Sequence, residues 1–164
     1  MTVDSIEKLL LEELKDLHSA ETQITKALPK MIQAASSPEL KKAFEKHLKE
    51  TEAQIERLDR AFEVMGKKGT NKTCEGMKGL LSEGAEMMRE IKVGEVRDAA
   101  LISAAQRVEH YEIAAYGTVR SYAQQMDQSE VADLLEQTLE EEKATDEKLT
   151  QISKKINSAA QRAA

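Results

Sequence analysis

Apolar residues recur every three or four positions along four long stretches of this chain, the spacing of one α-helix face, and almost nowhere alternate as a strand requires. The first stretch, about 4–34, aligns Leu10, Leu14, Leu17, Ile24, Leu28 and Met31, and Glu21 fills the one gap in that series. Pro29 lies inside it and predicts a kink or a loosened turn, because proline lacks an N–H and crowds the turn before it. Ser36-Ser37-Pro38-Glu39 then reads as a helix start, with a serine cap, a proline at the first helical position and an acid in the first turn. The second helix, 38–65, carries Leu40, Phe44, Leu48, Thr51, Ile55, Leu58, Phe62 and Met65 and stops at Gly66. Between Gly66 and Gly94 the pattern weakens to a polar loop, KKGTNKT, and a short amphipathic helix, 77–91. The third long helix, 95–126, aligns Ile102, Ala105, Glu109, Glu112, Tyr116, Val119 and Ala123. The fourth, 129–159, aligns Val131, Leu135, Thr138, Glu142, Thr145, Leu149, Ile152 and Ile156.

The two halves overlay at a constant shift of 91 residues, which places Leu17 on Val108, Glu21 on Glu112, Leu28 on Val119, Leu40 on Val131, Phe44 on Leu135, Glu50 on Glu141 and Leu58 on Leu149. Ser129-Glu130 repeats the start signal of Ser37-Pro38-Glu39, so the chain reads as a duplicated helical hairpin. Few residues separate the helices of each half, which makes them antiparallel neighbours, whereas the link between halves is long enough to cross a bundle from end to end. The fold class predicted is all-α: one ferritin-like four-helix bundle over 1–164, built of two antiparallel hairpins and a long crossover carrying a short fifth helix.

Acids at core positions change the picture. A buried ionised carboxylate costs several kcal/mol unless it is paired, protonated or metal-bound, so Leu or Ala is the cheaper residue there. Glu21, Glu50, Glu109, Glu112 and Glu142, with Glu141 beside the last, can converge midway along the bundle, and oxygen ligands of this kind suit iron or manganese once an imidazole joins them. His47, three residues before Glu50, is the candidate imidazole; His110 is a second, pointing about 100° off the Glu109–Glu112 line. Tyr116, one turn beyond Glu112, and Gln54 can hydrogen-bond a ligand carboxylate. A glutamate in a chain with 30 acids ordinarily lies on a solvated face, and His47 as a boundary histidine needs no metal. His18 lies off the seam. Cys74 reads as a packed small residue, with no neighbouring histidine in sequence to activate it, and Met87-Met88 as packing of the short helix, so no organic cofactor is expected.

Charge and composition narrow the partners. With 24 basic and 30 acidic residues the formal charge is −6, and no basic cluster suggests nucleic acid. No apolar run approaches a membrane span, the N-terminus lacks a signal-peptide pattern, and a single cysteine forms no internal disulfide, so a cytoplasmic location is expected with no membrane partner.

The segments LKDLHSAETQITKALPKM, HLKETEAQIERLDRAFE, EVRDAALISAAQRVEHYEIAAYGTV and LLEQTLEEEKATDEKLT together resemble the YciE/YciF group of bacterial stress proteins within the ferritin-like superfamily. The resemblance covers nearly the whole chain and is most specific in RVEHYEIAAYGT. It implies a homodimer of ferritin-like bundles in the bacterial cytoplasm, produced under stress. The wider superfamily implies two iron or manganese ions between the hairpins, with carboxylates carried over at Glu21 and Glu112 and, with the register open by one, at Glu50 and Glu142. The superfamily's Glu-x-x-His pairs are absent: Ala53, Ile55, Ala144 and Thr145 stand three residues after Glu50, Glu52, Glu141 and Glu142. Glu109 supplies an oxygen where relatives use nitrogen. Two readings follow, a dimetal protein handling oxygen or peroxide, and a non-catalytic helical dimer or partner-binding stress protein that has lost the site.

Overall fold

The structure, a computed structural model, describes residues 2–69 and 72–162 and consists of five helices. Thr70 and Asn71, within the predicted KKGTNKT loop, lie outside the described residues. Helix α1 spans Ile6–Ala34, α2 Pro38–Val64, α3 Glu75–Glu90, α4 Glu95–Gln125 and α5 Ser129–Arg162.

Side-chain caps account for where the helices start. Ser5 accepts the Lys8 N–H at 3.3 Å, so α1 begins at Ile6, two residues later than the periodicity predicts. The helix then runs through Pro29 unbroken, with that residue on its exposed side. Ser37 caps α2 by accepting the Leu40 N–H at 3.3 Å, with Pro38 following. Gly66, at φ 63, turns the chain out of α2 while the N–H groups of Gly66 and Lys67 reach the carbonyls of Glu63 and Phe62, both at 2.9 Å. Cys74 does what the sequence did not suggest: its sulfur accepts the Met77 N–H at 3.4 Å, and α3 therefore starts at Glu75 instead of 77. Ser129 is already the first residue of α5, so it corresponds to Pro38 and not to the capping Ser37. That last helix also extends to Arg162, past the expected end at 159.

The hairpins α1–α2 and α4–α5 pack side by side, α2 against α5 and α1 against α4, while α3 lies over α4 and α1. This is the ferritin-like arrangement, with the crossover returning the chain to the bundle end where α2 began. Apolar side chains fill it in two halves. One holds Leu28, Met31, Leu40, Phe44, Leu101, Leu149 and Ile152 with Met77 of α3. The other holds Leu10, Leu14, Leu17, Leu58, Phe62, Val119, Val131 and Leu135. Each fully buried side chain of this size contributes about 1.5–3 kcal/mol, and these halves supply the drive to fold. The seams of α1, α4 and α5 are buried as the periodicity predicts. On α2 the inward face differs: Leu48 and Ile55 are half-buried, and His47 and Gln54 point inward with Thr51. The apolar period misleads there because the layer they face is polar.

Two contacts set the crossover and the loops. Tyr111 Oη donates to Asp16 at 2.8 Å and lies 3.0 Å from Cys74 Sγ, while the Cys74 N–H reaches Ser19 Oγ at 2.9 Å. Gly76 permits this approach, since a Cβ there would sit 2.9 Å from the Tyr111 ring. At the end of the bundle where α1 passes into α2, the buried Asp98 of α4 accepts the N–H groups of Ser36 and Ser37, each at 2.7 Å. One carboxylate thereby ties the first hairpin's turn to the second hairpin's first helix. Replacing it, Asp98→Ala, is expected to cost about 2 kcal/mol, since hydrogen bonds to a charged group are worth about 1.5–3 kcal/mol and water can reach part of the turn. Followed by circular dichroism, the melting temperature should fall by roughly 4–8 °C; an unchanged melt would show that the turn is held without it.

A buried carboxylate cluster as candidate metal centre

Midway along the bundle, between the apolar halves, every long helix turns polar residues inward. Helix α1 contributes Glu21; α2 contributes His47, Thr51 and Gln54; α4 contributes Glu109, Glu112 and Tyr116; α5 contributes Thr138, Glu142 and Thr145. Spacings of three and four residues align each set on one helix face. The same 91-residue shift that relates the halves carries His47 onto Thr138, Thr51 onto Glu142 and Gln54 onto Thr145. Positions match across the duplication, while the chemistry matches only at Glu21 and Glu112.

His47, Glu109, Glu112 and Glu142 each offer a donor atom, and these four atoms all lie within 4.8 Å of one another. His47 Nε2 stands 3.2 Å from Glu109 Oε1 and 4.0 Å from Glu142 Oε2, and neither contact has hydrogen-bond geometry. Its Nδ1 faces Thr145 Oγ1 at 3.4 Å. Beside this set, Glu21 Oε1 accepts a hydrogen bond from Tyr116 at 2.5 Å. Gln54 Nε2 donates to Glu142 Oε1 at 2.5 Å and to Glu141 Oε2 at 3.1 Å. Arg57 closes the network from outside: it grips Glu141 with two bonds of 2.7 Å and reaches Thr138 Oγ1 at 3.1 Å.

The electrostatics of this layer are strained. Burial, then the negative charge of Glu142, pushes Glu21 up to about 8 against the opposing pull of the Tyr116 hydrogen bond. Burial likewise pushes Glu109 up to about 7. Glu112 and Glu142 rise well above the ordinary carboxylate range, again through burial first, with the charge of Glu21 next for the one and that of Glu109 for the other. The Tyr116 hydroxyl is raised by burial and by Glu21. Glu21 meets Glu112, and Glu109 meets Glu142, carboxyl to carboxyl. A proton shared within each pair turns repulsion into an O–H···O bond; without it, both oxygens of Glu112 and one each of Glu21, Glu109 and Glu142 are buried with no donor, as is Gln54 Oε1. A divalent cation removes the same deficit by occupying those lone pairs, so the buried histidine and glutamates could hold a metal ion.

Of the residues singled out in the sequence, Glu21, His47, Glu109, Glu112, Glu142, Tyr116 and Gln54 are brought into this layer. Glu50 is not: it is half-buried on the flank of α2, its Oε1 bonded to Lys46 and its Oε2 3.9 Å from His47 Nδ1. On α5 the inward acid is Glu142, and Glu141 faces Arg57. His110 is exposed, 3.2 Å from Asp146, and His18 is half-buried 3.1 Å from Asp59. Arg57 escaped notice because its partner is 84 residues away and no local spacing signals a pair between α2 and α5.

The family described as a domain of unknown function, DUF892, matches residues 5–163, and the chain belongs to it. The chain is 47% identical over 154 residues to Protein YciF of Escherichia coli (strain K12), covering 93% of each. Among solved structures it resembles the E. coli stress protein YciF at a TM-score of 0.92 and 46% identity, over 95% of this chain and 99% of that one. YcfI from Rhodopseudomonas palustris is similar at 0.88 and 44%, over 90% and 94%. A Xanthomonas campestris protein at 0.75 and 22% shares the fold, over 94% and 95%.

The raised carboxyls give the metal-free protein a definite pH dependence. The folded chain keeps protons that the unfolded chain releases above the ordinary value of 4.5, so this contribution is complete below that value and is lost as pH rises towards about 8. After chelation, the double variant Glu21→Gln/Glu112→Gln should therefore lose less stability than the wild type between about pH 4.5 and 8 in urea titrations. Equal losses would show that these carboxyls are not held protonated in the fold.

Proposed function

We propose that this family member is a stress-response protein whose bundle encloses a carboxylate-rich site for iron or manganese, used to handle oxygen or peroxide. The observation carrying the reading is the convergence of four donor atoms within 4.8 Å, on residues that each hold a buried polar atom with no hydrogen-bond partner, inside an otherwise apolar core. The stress role comes from the E. coli relative, whose name describes it as a stress protein. The homodimer and the cytoplasmic location belong to the same proposal and rest on the resemblance; among the described residues no helix is long and apolar enough to cross a membrane.

In this reading Glu112, His47, Glu109 and Glu142 would hold an ion, with Glu21 beside them available to a second. One nitrogen among several carboxylate oxygens suits manganese and iron better than zinc or copper. Bound iron or manganese would supply the redox chemistry, each ion changing by one electron where reduction of peroxide to water takes two. Such a reduction also consumes protons, and the Tyr116 hydroxyl, raised by burial and by Glu21, holds one beside the cluster. Gln54 fixes Glu142 by donating to it and is itself held through Glu141 by Arg57, an arrangement that orients a ligand from behind.

A second reading has its own observation in its favour. Thr51, Gln54 and Thr145 occupy the inward positions where the superfamily's Glu-x-x-His pairs belong. A bundle that has lost those histidines can persist as a non-catalytic dimer or partner-binding protein with its acids protonated and bonded to Tyr116 and Gln54.

Metal analysis separates the two. Protein purified from iron- or manganese-supplemented cells should carry near-stoichiometric metal, and Glu21→Ala/Glu112→Ala only traces. Added metal should raise the stability of the stripped wild type, by about 2.7 kcal/mol at a hundredfold excess over Kd, and leave the variant unmoved. Equal trace metal in both proteins, with Glu21→Gln/Glu112→Gln as stable as wild type or more so, would sink the first reading in favour of the second.

A further inference from the structure

A site this deeply enclosed needs a way in. His47, Glu109, Glu112, Glu142 and Glu21 are at most 2% exposed. The apolar halves close the bundle above and below the layer. The helices pack most extensively within each hairpin, and the two seams between hairpins are the less tightly sealed. The α1–α4 seam is roofed by α3, pinned there by Cys74, Ser19 and Tyr111. Among the described residues no helix covers the α2–α5 seam, and a groove of about 440 Å³ opens along it. The other large groove, about 400 Å³ outside α4 and α5, is lined by Ser103, Gln106, Arg107 and His110 and touches no member of the cluster.

The α2–α5 groove ends one side chain short of the cluster. Glu50 and Thr145 are part of its lining, with Glu39, Lys42, Lys46 and Lys148 around them. Glu50 Oε2 is buried, has no hydrogen-bond partner and lies 3.9 Å from His47 Nδ1; Thr145 Oγ1 lies 3.4 Å from the same nitrogen. The opposite edge of that imidazole faces Glu109 and Glu142. An unpartnered carboxylate oxygen beneath the groove, then an imidazole, then the buried acids make a series of metal-type donors leading into the core. Lys46, whose side chain is 72% exposed, is ion-paired to the outer oxygen of Glu50 and can swing clear without disturbing the core.

We propose that the α2–α5 groove is the route by which a divalent cation reaches the buried cluster, with Glu50, 3.9 Å from His47, the carboxylate that passes it inward and Lys46 the counter-charge it displaces. This rests on the metal reading given above. Glu50 is here a transfer ligand, not a resident one, which accounts for its place outside the four-residue set.

The test uses the full chain stripped of metal and mixed with cobalt(II), with uptake timed by the rise of the cobalt ligand-field bands and cobalt per chain measured at the end. Glu50→Gln should slow uptake roughly tenfold, the loss expected when a charged approach is neutralised. Lys46→Gln should speed it, and Arg107→Gln, in the groove that leads nowhere, should leave it unchanged. All three should finish with the wild-type cobalt content and spectrum. An unchanged rate in Glu50→Gln, or a lower final cobalt content in that variant, overturns the route while leaving the metal site standing. Absence of cobalt from the wild type overturns the site and the route together.

Discussion

The constraint on which the rest of this molecule depends is a layer of carboxyls that the fold cannot satisfy by itself. Two apolar halves drive the four long helices together, and each helix brings acids or their hydrogen-bond partners to the plane where those halves meet. Left ionised, Glu21, Glu109, Glu112 and Glu142 would repel one another in a medium that screens poorly. Protons or a cation must therefore enter with them, and the structure is arranged so that either can. The shared proton costs no rearrangement; the cation requires donor atoms already near one another, which the convergence around His47 provides.

That layer also explains how the hairpins are matched. Internal duplication preserved most inward positions across 91 residues, though Glu109 and Tyr116 fall on the half-buried His18 and Thr25, and only Glu21 and Glu112 kept the same side chain at the centre. His47 corresponds to Thr138, Thr51 to Glu142 and Gln54 to Thr145, so the first hairpin brings imidazole, hydroxyl and amide where the second brings hydroxyl, acid and hydroxyl. A pseudo-symmetric scaffold thus carries an asymmetric site. The asymmetry extends outward, since α3 covers one seam between the hairpins and leaves the other open.

Most of the fold was legible in the periodicity because every stripe position named on α1, α4 and α5 is buried; α4 buries a wider face than its stripe, Leu101 and Ala104 included, because α3 lies over it. The second helix was misread at Leu48 and Ile55 for a physical reason. Where a helix faces a polar layer, its inward residues are His47, Thr51 and Gln54, and the nearest apolar side chains lie one position to the side. The same effect made Glu50 look central, when a turn of about 100° per residue carries it to the flank. The choice between Glu141 and Glu142 needed the packing of α5, and Arg57 and Asp98 needed the whole bundle, since their partners lie 60 to 84 residues away.

Tyr111 lies in sequence between Glu109 and Glu112, and its ring is caught outside the bundle by Cys74, Asp16 and the bare backbone of Gly76. It works as a key in a slot: α4 cannot roll about its own axis without withdrawing the ring, and any such roll would swing both glutamates away from His47. The angular setting of the inner acids is thereby indexed from the outside of the molecule, by the one segment that duplication did not copy. Drift in that crossover is consequently not neutral wandering in a connector but a means of retuning the buried layer from a distance.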